Sequence, residues 1–232
     1  MPSYFDAHSH LPSGGTRPPE HLRVVCGTGP EDWGAVLAHA AGDPQVVPML
    51  GLHPWQVAEA PLDWAGRLED LLRTHRAGVG ECGLDFARQT SDRLGQEAAL
   101  RIQLRLAHAL ARPVALHAVQ AWGRLAALLR EEGVPAAGAM MHAFSGSPET
   151  ARELQALGLH LSFSGNLADP GRPRLREALL AVAPDRLLLE SDGAADFPAV
   201  VAAAADLLAR PVGEVAALTS DNGRRCFKEV LA

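Results

Sequence analysis

The chain has 232 residues, 47% of them hydrophobic and 21% charged, which is enough for a sizeable core and typical of one α/β barrel. A formal net charge of −6 argues against broad electrostatic binding to duplex nucleic acid, which needs a basic stripe along the phosphates. Lys228 is the one lysine and G-x-S-x-G is absent, so P-loop, Schiff-base, carboxylated-lysine and serine-nucleophile chemistries lose their residues, and metal-activated water leads by elimination.

Short apolar runs alternate with longer amphipathic ones from end to end. The first candidate strand, 3–8, carries Asp6 and His8 and runs on into His10. Residues two apart on a strand share a face, so the two imidazoles project side by side with Asp6 behind them. Taken alone, this pair is explained as well by two solvent-facing histidines; the later strand ends have to decide. Residues 12–19 are rich in Gly and Pro and read as an irregular loop. Further strands are predicted at 23–27, 46–51, 77–81, 113–117, 138–142, 159–163 and 186–190. Helices are predicted at 31–41, 61–75, 91–111, 118–132, 148–157, 172–183, 197–209 and 213–230. Ser147-Pro148-Glu149 has the form of a helix start, with Ser as N-cap and Pro in the first turn.

Eight strands alternating with helices predict a single α/β domain over 1–232, a (β/α)8 TIM barrel whose active site lies at the C-terminal ends of the strands. A doubly wound open sheet is the alternative, but it gives no reason for ligands from strands one, four, five, six and eight to converge. No run of eighteen apolar residues and no basic-then-apolar N-terminus occurs, so the expectation is a cytoplasmic protein without a membrane span or signal peptide. Cys26, Cys82 and Cys226 form no C-x-x-C pair and read as reduced thiols without an assigned role.

The strand ends collect the chemistry. The third closes on Gly51-Leu52-His53-Pro54, the fourth on Gly80-Glu81-Cys82-Gly83-Leu84-Asp85, the fifth on Leu116-His117, the sixth on Met141-His142-Ala143-Phe144-Ser145-Gly146 and the eighth on Leu189-Glu190-Ser191-Asp192. The other histidines, His21, His39, His75, His108 and His160, fall in helical patterns or at the opposite strand ends and read as surface or packing residues. Each site candidate has a plain structural reading beside the functional one: Asp192 as a helix cap or ion-pair partner, Glu81 as a loop carboxylate, His117 and His142 as satisfied core imidazoles.

In this order and spacing, D-x-H-x-H-L, G-L-H-P, G-E-C-G-L-D, L-H, H-A-F-S-G and L-E-S-D resemble the TatD family of metal-dependent deoxyribonucleases and related hydrolases. The resemblance runs to Asn222-Gly223-Arg224-Arg225-Cys226-Phe227, similar to the family's closing N-x-x-R-x-F. It implies an amidohydrolase-type barrel with one or two divalent metals and hydrolysis directed most often at DNA ends. Carried over by position, it implies a first metal held by His8, His10, Glu81 and Asp192 and a second by Glu81, His117 and His142. Glu81 then bridges, as a carboxylate with two oxygens can between metals about 3.5–4 Å apart. Asp192 would also take the proton of the activated water, so Asp192 and Glu81 are the catalytic candidates. The histidines favour Zn, Mn, Fe or Co over Mg. The small positive charge left at such a site suits an anionic substrate, single-stranded DNA or a nucleotide.

His53, Ser145 and Asn166 are candidates for substrate contact, the last on the loop after the seventh strand, where a plain turn is the simpler reading. Asp6 and Glu190 stand two residues before ligand positions and can orient ligands from behind, or can serve as structural carboxylates. Trp55 and Phe144 can stack a base or simply pack, and Arg172, Arg174 and Arg176 form a basic run of the kind usual on solvated helix faces. Two departures stand out. His117-Ala118-Val119 replaces the family's H-x-R, and Gly193-Ala194-Ala195-Asp196-Phe197-Pro198 replaces a longer, more basic segment after the aspartate. Three readings therefore stay open: an exonuclease-type phosphodiesterase acting on DNA ends, a hydrolase of a small ester, amide or phosphorylated metabolite, and a noncatalytic metal-binding partner subunit.

Overall fold

Apolar runs too short for a helix, bounded by Gly, Pro or Asp, become strands, and the amphipathic stretches between them become helices that cover the strands' outer faces. The computed structural model describes residues 4–11, 21–87, 92–193 and 196–231. The loop expected at 12–19 and Ala194-Ala195 lie outside the described residues, as do Ser3 and Ser91 at the expected start of a strand and of a helix.

The strands are β1 (Tyr4–Ser9), β2 (His21–Cys26), β3 (Val46–Leu50), β4 (Gly78–Asp85), β5 (Val114–Val119), β6 (Ala139–Met141), β7 (His160–Phe163) and β8 (Leu187–Leu189). They form one sheet in sequence order, each parallel to the next. The segment after β8 returns to β1, where Asp192 N–H donates to the His8 carbonyl at 3.1 Å, so the sheet curls into a nearly closed barrel. The helices are α1 (Trp33–Gly42), α2 (Trp64–Thr74), α3 (Arg93–Ala109), α4 (Trp122–Glu132), α5 (Pro148–Ala156), α6 (Pro173–Leu180), α7 (Phe197–Leu208) and α8 (Val212–Cys226).

The main core lies between strands and helices, with Val79, Leu116, Met141, Leu161 and Leu189 packed against Leu68, Leu104, Leu125, Leu154 and Val201. A second cluster of Phe5, Val24, Met49, Ala115, Met140, Leu188 and Phe227 joins strand residues to the C-terminal segment. Ser147 caps α5 as its sequence suggests, Oγ accepting Thr150 N–H at 3.3 Å. No helix among the described residues is long and apolar enough to cross a membrane.

Two differences from the sequence-based boundaries bear on the site. β4 continues to Asp85 and β5 to Val119, because Gly83, Leu84 and Asp85 pair with His117, Ala118 and Val119; α4 accordingly starts at Trp122. The two glycines in Gly80-Glu81-Cys82-Gly83 interrupt the apolar pattern and disguise strand as loop. Close approach requires the second one: at Gly83 φ is +153°, and a Cβ would overlap the His117 carbonyl. The other difference is a short 3-10 turn over Pro54–Glu59, which swings Trp55 back over the barrel mouth.

Candidate metal centre

Glu81 stands on β4, fully buried, with His8 and His10 of the β1 end on one side and His117 and His142, from β5 and just after β6, on the other. Glu81 Oε2 lies 3.4 Å from His8 Nε2 and 3.6 Å from His10 Nε2. These two nitrogens are 3.3 Å apart, and Asp192 Oδ1 is 3.9 and 3.8 Å from them. Glu81 Oε1 lies 2.8 Å from both His117 Nδ1 and His142 Nε2, themselves 3.1 Å apart. One carboxylate thus faces two sets of imidazole nitrogens, one with each oxygen.

The donor set fits divalent ions. Ligands about 2.0–2.1 Å from a tetrahedral ion are about 3.3–3.4 Å from one another, close to the spacing on the His8–His10 side. Octahedral ligands at that radius are about 2.8–3.0 Å apart, close to the His117–His142 side. The fit also has an electrostatic side. Lone pairs of two imidazoles and a carboxylate converge on one buried point, and such a triangle suits a positive charge at its centre.

The protonation directions agree. Burial alone would raise the Glu81 carboxyl, but the His142 and His8 imidazoles, with hydrogen bonds from His117 and His142, hold it well below the usual carboxylate range. Burial pulls His142 down, yet Glu81 and Glu190 together raise it well above an ordinary histidine. Burial and the neighbouring His142 lower His8, and burial lowers His53.

Each of the four imidazoles is also held by its second nitrogen, which turns the first toward Glu81. His142 Nδ1 lies 3.3 Å from Glu190 Oε1, an oxygen that also accepts Ala143 N–H at 2.7 Å. His117 Nε2 lies 3.3 Å from Asp85 Oδ2. His8 Nδ1 is 3.4 Å from Cys26 Sγ, and His10 Nδ1 is 3.2 Å from the Cys26 carbonyl oxygen, so one residue at the end of β2 steadies both. Burial pushes the Cys26 thiol well up, and it stays protonated.

Asp85 and Cys26 were missed by the sequence reading. Asp85 stands in the same motif as Glu81, four residues on and hence on the same strand face, which was the available signal; Cys26 offered only its place as the last residue of a strand. Asp6 is buried and bonded to Ser191, accepting its N–H at 2.8 Å and its hydroxyl at 2.6 Å; this ties β1 to the residue before Asp192. His53 Nε2 comes within 3.4 Å of Glu81 Oε1, while its Nδ1 accepts Trp55 N–H at 3.1 Å. A neutral imidazole that accepts at Nδ1 carries its proton on Nε2, so His53 faces the centre as a donor.

Above the cluster opens a cavity of about 380 Å³ lined by His10, Thr28, His53, Trp55, Gln56, Glu81, His117, His142 and Asp192. None of these is Lys or Arg. Thr28 and Gln56, on the loops after β2 and β3, had no distinguishing sequence signal. Ser145 and Asn166 are exposed and outside this lining. Phe144 is buried against Trp122 and Phe163. Arg172 pairs with Asp169 at the start of α6, where Arg174 is exposed and Arg176 reaches toward the Ala168 carbonyl.

Residues 5–228 match the family described as TatD related DNase. The chain is 43% identical over 144 residues to the 3'-5' ssDNA/RNA exonuclease TatD of Cronobacter sakazakii, covering 61% of this chain and 55% of that protein, so the match spans little more than half the relative's length. It is 30% identical over 196 residues to the uncharacterized metal-dependent hydrolase YabD of Bacillus subtilis, covering 77% of this chain and 76% of that one. Among solved structures, YJJV, a TatD homolog from Escherichia coli, superposes with a TM-score of 0.87 at 26% identity over 97% of this chain and 98% of the other.

Proposed function

The chain belongs to the TatD related DNase family, and we propose that it is a metal-dependent phosphodiesterase that shortens single-stranded nucleic acid from an end. The observation that carries this reading is Glu81 between two converging sets of imidazoles beneath an open cavity. About 380 Å³ is at the small end of ligand sites and suits one terminal nucleotide, whereas a duplex is too wide to enter. The relatives named for ssDNA/RNA exonuclease activity favour the same substrate.

His8, His10, Asp192 and one Glu81 oxygen would hold one ion; the other Glu81 oxygen, His117 and His142 would hold a second. Nitrogen ligands favour Zn, Mn, Fe or Co over Mg. Divalent ions supply Lewis acidity toward a phosphoryl oxygen and acidify water beside them. Asp192, its side chain 40% exposed at the cavity edge, takes the proton from the attacking water. His53 presents Nε2–H toward the reacting oxygens, and Glu190 and Asp85 hold His142 and His117 in the orientation that leaves their inner nitrogens unprotonated for a metal. Asp6 keeps the Asp192 segment against β1 through Ser191.

The test is metal content of protein purified without chelator, followed by release of mononucleotides from end-labelled single-stranded DNA with added Mn or Mg, beside Asp192→Asn. Activity in wild type alone, lost by about 10²-fold or more in the variant, is expected; a metal-free protein that stays inactive with added metal would sink the reading. A second reading has its own observation. Among the described residues the cavity lining contains no Lys or Arg, and Val119 stands where the family has Arg, which favours a small ester, amide or phosphorylated metabolite. Bound metal with no DNA turnover would select it.

A further inference from the structure

Asp85 is buried at the end of β4, and both of its carboxylate oxygens are engaged. Oδ1 accepts Ala87 N–H at 2.9 Å. Oδ2 accepts the Trp55 indole N–H at 2.7 Å and lies 3.3 Å from His117 Nε2. The backbone beneath is clamped by Gln96, whose amide bonds Asp85 N–H at 2.8 Å and Asp85 C=O at 3.1 Å. One oxygen therefore serves a histidine beside Glu81 and a tryptophan at the barrel mouth. Trp55 remains 50% exposed and lines the cavity, its ring 4.9 Å from His53 and 6.4 Å from His117, both edge-on. Its anchoring atom points inward while much of its surface remains open to solvent.

We propose that Asp85 is a positioning residue that sets, through Oδ2, both the tautomer of His117 and the seat of the Trp55 indole, making Trp55 the stacking face for the terminal base of a single strand. The first half follows from proton accounting. A neutral His117 that keeps its proton on Nε2, donated to Asp85, would leave the lone pair of Nδ1, 2.8 Å from Glu81 Oε1, free for an ion in place of the proton that Nδ1 otherwise shares with Glu81. The second half rests on the phosphodiesterase reading. An aromatic face stacks any base, so it supplies affinity for a strand end whatever its sequence, beside a lining whose described residues include no Lys or Arg. Because the donors share one oxygen, the distance from stacked base to metal ligand is set by a single side chain.

The experiment compares Asp85→Asn, Trp55→Phe and Trp55→Ala with wild type in two readouts. Zn or Mn affinity is measured by chelator competition without nucleic acid, and binding of a non-hydrolysable single-stranded dinucleotide is measured beside its analogue abasic at the terminus. Asp85→Asn is expected to weaken metal binding about 10- to 100-fold with an unchanged melting temperature. Trp55→Ala is expected to lose on the order of tenfold in dinucleotide binding and little for the abasic analogue. Trp55→Phe keeps the ring but loses the anchor and should fall between. Metal affinity unaltered in a folded Asp85→Asn would overturn the first half. Equal loss of both dinucleotides in Trp55→Ala, or wild-type binding in Trp55→Phe, would overturn the second; should Asp85→Asn not fold, the Phe comparison still tests the anchor. Failure of the nuclease reading leaves the metal readout standing, so the two failures are distinguishable.

Discussion

Buried histidines occur at both ends of this barrel, and their surroundings make them opposites. At the C-terminal ends of the strands, buried His8 and His142 and the partly buried His117 face Glu81, with Asp85 and Glu190 behind. At the N-terminal ends, His160 opens β7 only 7% exposed, and a cavity of about 520 Å³ beside it is lined by Asp185, Arg186, Arg225 and Lys228 among others. Burial, reinforced by Arg186, pulls His160 down to about 4. The same residue type is thus tuned to gather a cation at one end and to stay neutral at the other. Carboxylates aimed at histidines, more than histidines themselves, distinguish the end that can do chemistry.

The contrast is broken most severely by Glu81→Gln, which removes the charge shared by both imidazole sets. Turnover of single-stranded DNA should fall by at least the ~10²–10³-fold lost with one preorganised electrostatic group, and bound metal should fall with it on elemental analysis. Next come two glycines, one at each end. A Cβ at Gly83 would overlap the His117 carbonyl, and a Cβ at Gly138, at φ +131°, the Cys226 carbonyl. Either alanine variant should cost about 3–4 kcal/mol in urea unfolding. Gly83→Ala should weaken metal binding more, since its overlap falls on the ligand residue His117 itself, whereas that of Gly138→Ala falls on Cys226 at the opposite end of the strands; equal effects on metal would dissolve the distinction between the ends.

The smallest effect sharpens the comparison through pH. His160 has a folded pKa of about 4 against an ordinary 6.5, so between those values the unfolded chain binds a proton that the folded one refuses. Its contribution to stability is whole above 6.5 and is lost as pH falls toward 4, by roughly 3 kcal/mol over the window. From pH 7 to 4.5 the urea midpoint of wild type should fall relative to that of His160→Leu, which has no imidazole to titrate. Parallel curves would mean that His160 is solvated and the two ends are less different than their geometry shows.

Much of this molecule is legible in its amino-acid order. The strand and helix order, the placement of His8, His10, Glu81, His117, His142 and Asp192 at one set of strand ends, and the resemblance of the motifs to TatD hydrolases all rest on local alternation and spacing. Such patterns survive in one dimension, since a strand's faces alternate wherever the strand goes. Asp85 was passed over because glycines at 80 and 83 break the apolar run and hide the length of β4. Ser145 and Asn166, candidates by the loops that carry them, are exposed and outside the lining of the cavity that Thr28 and Gln56 help form.

Only the tertiary structure decided what stands behind each imidazole. Cys26 reaches both His8 and His10 through the β1–β2 pairing, which shifts register between Asp6 and Ser9; Asp85 reaches His117 because β4 and β5 stay paired to their ends; Trp55 reaches Asp85 because the 3-10 turn after His53 folds back over the mouth. These contacts join residues 16 to 32 positions apart. Residue types and local periodicity determine which atoms are available to ligate. Which nitrogen faces the centre depends on strand register and turn geometry, and those are set by packing across the whole barrel.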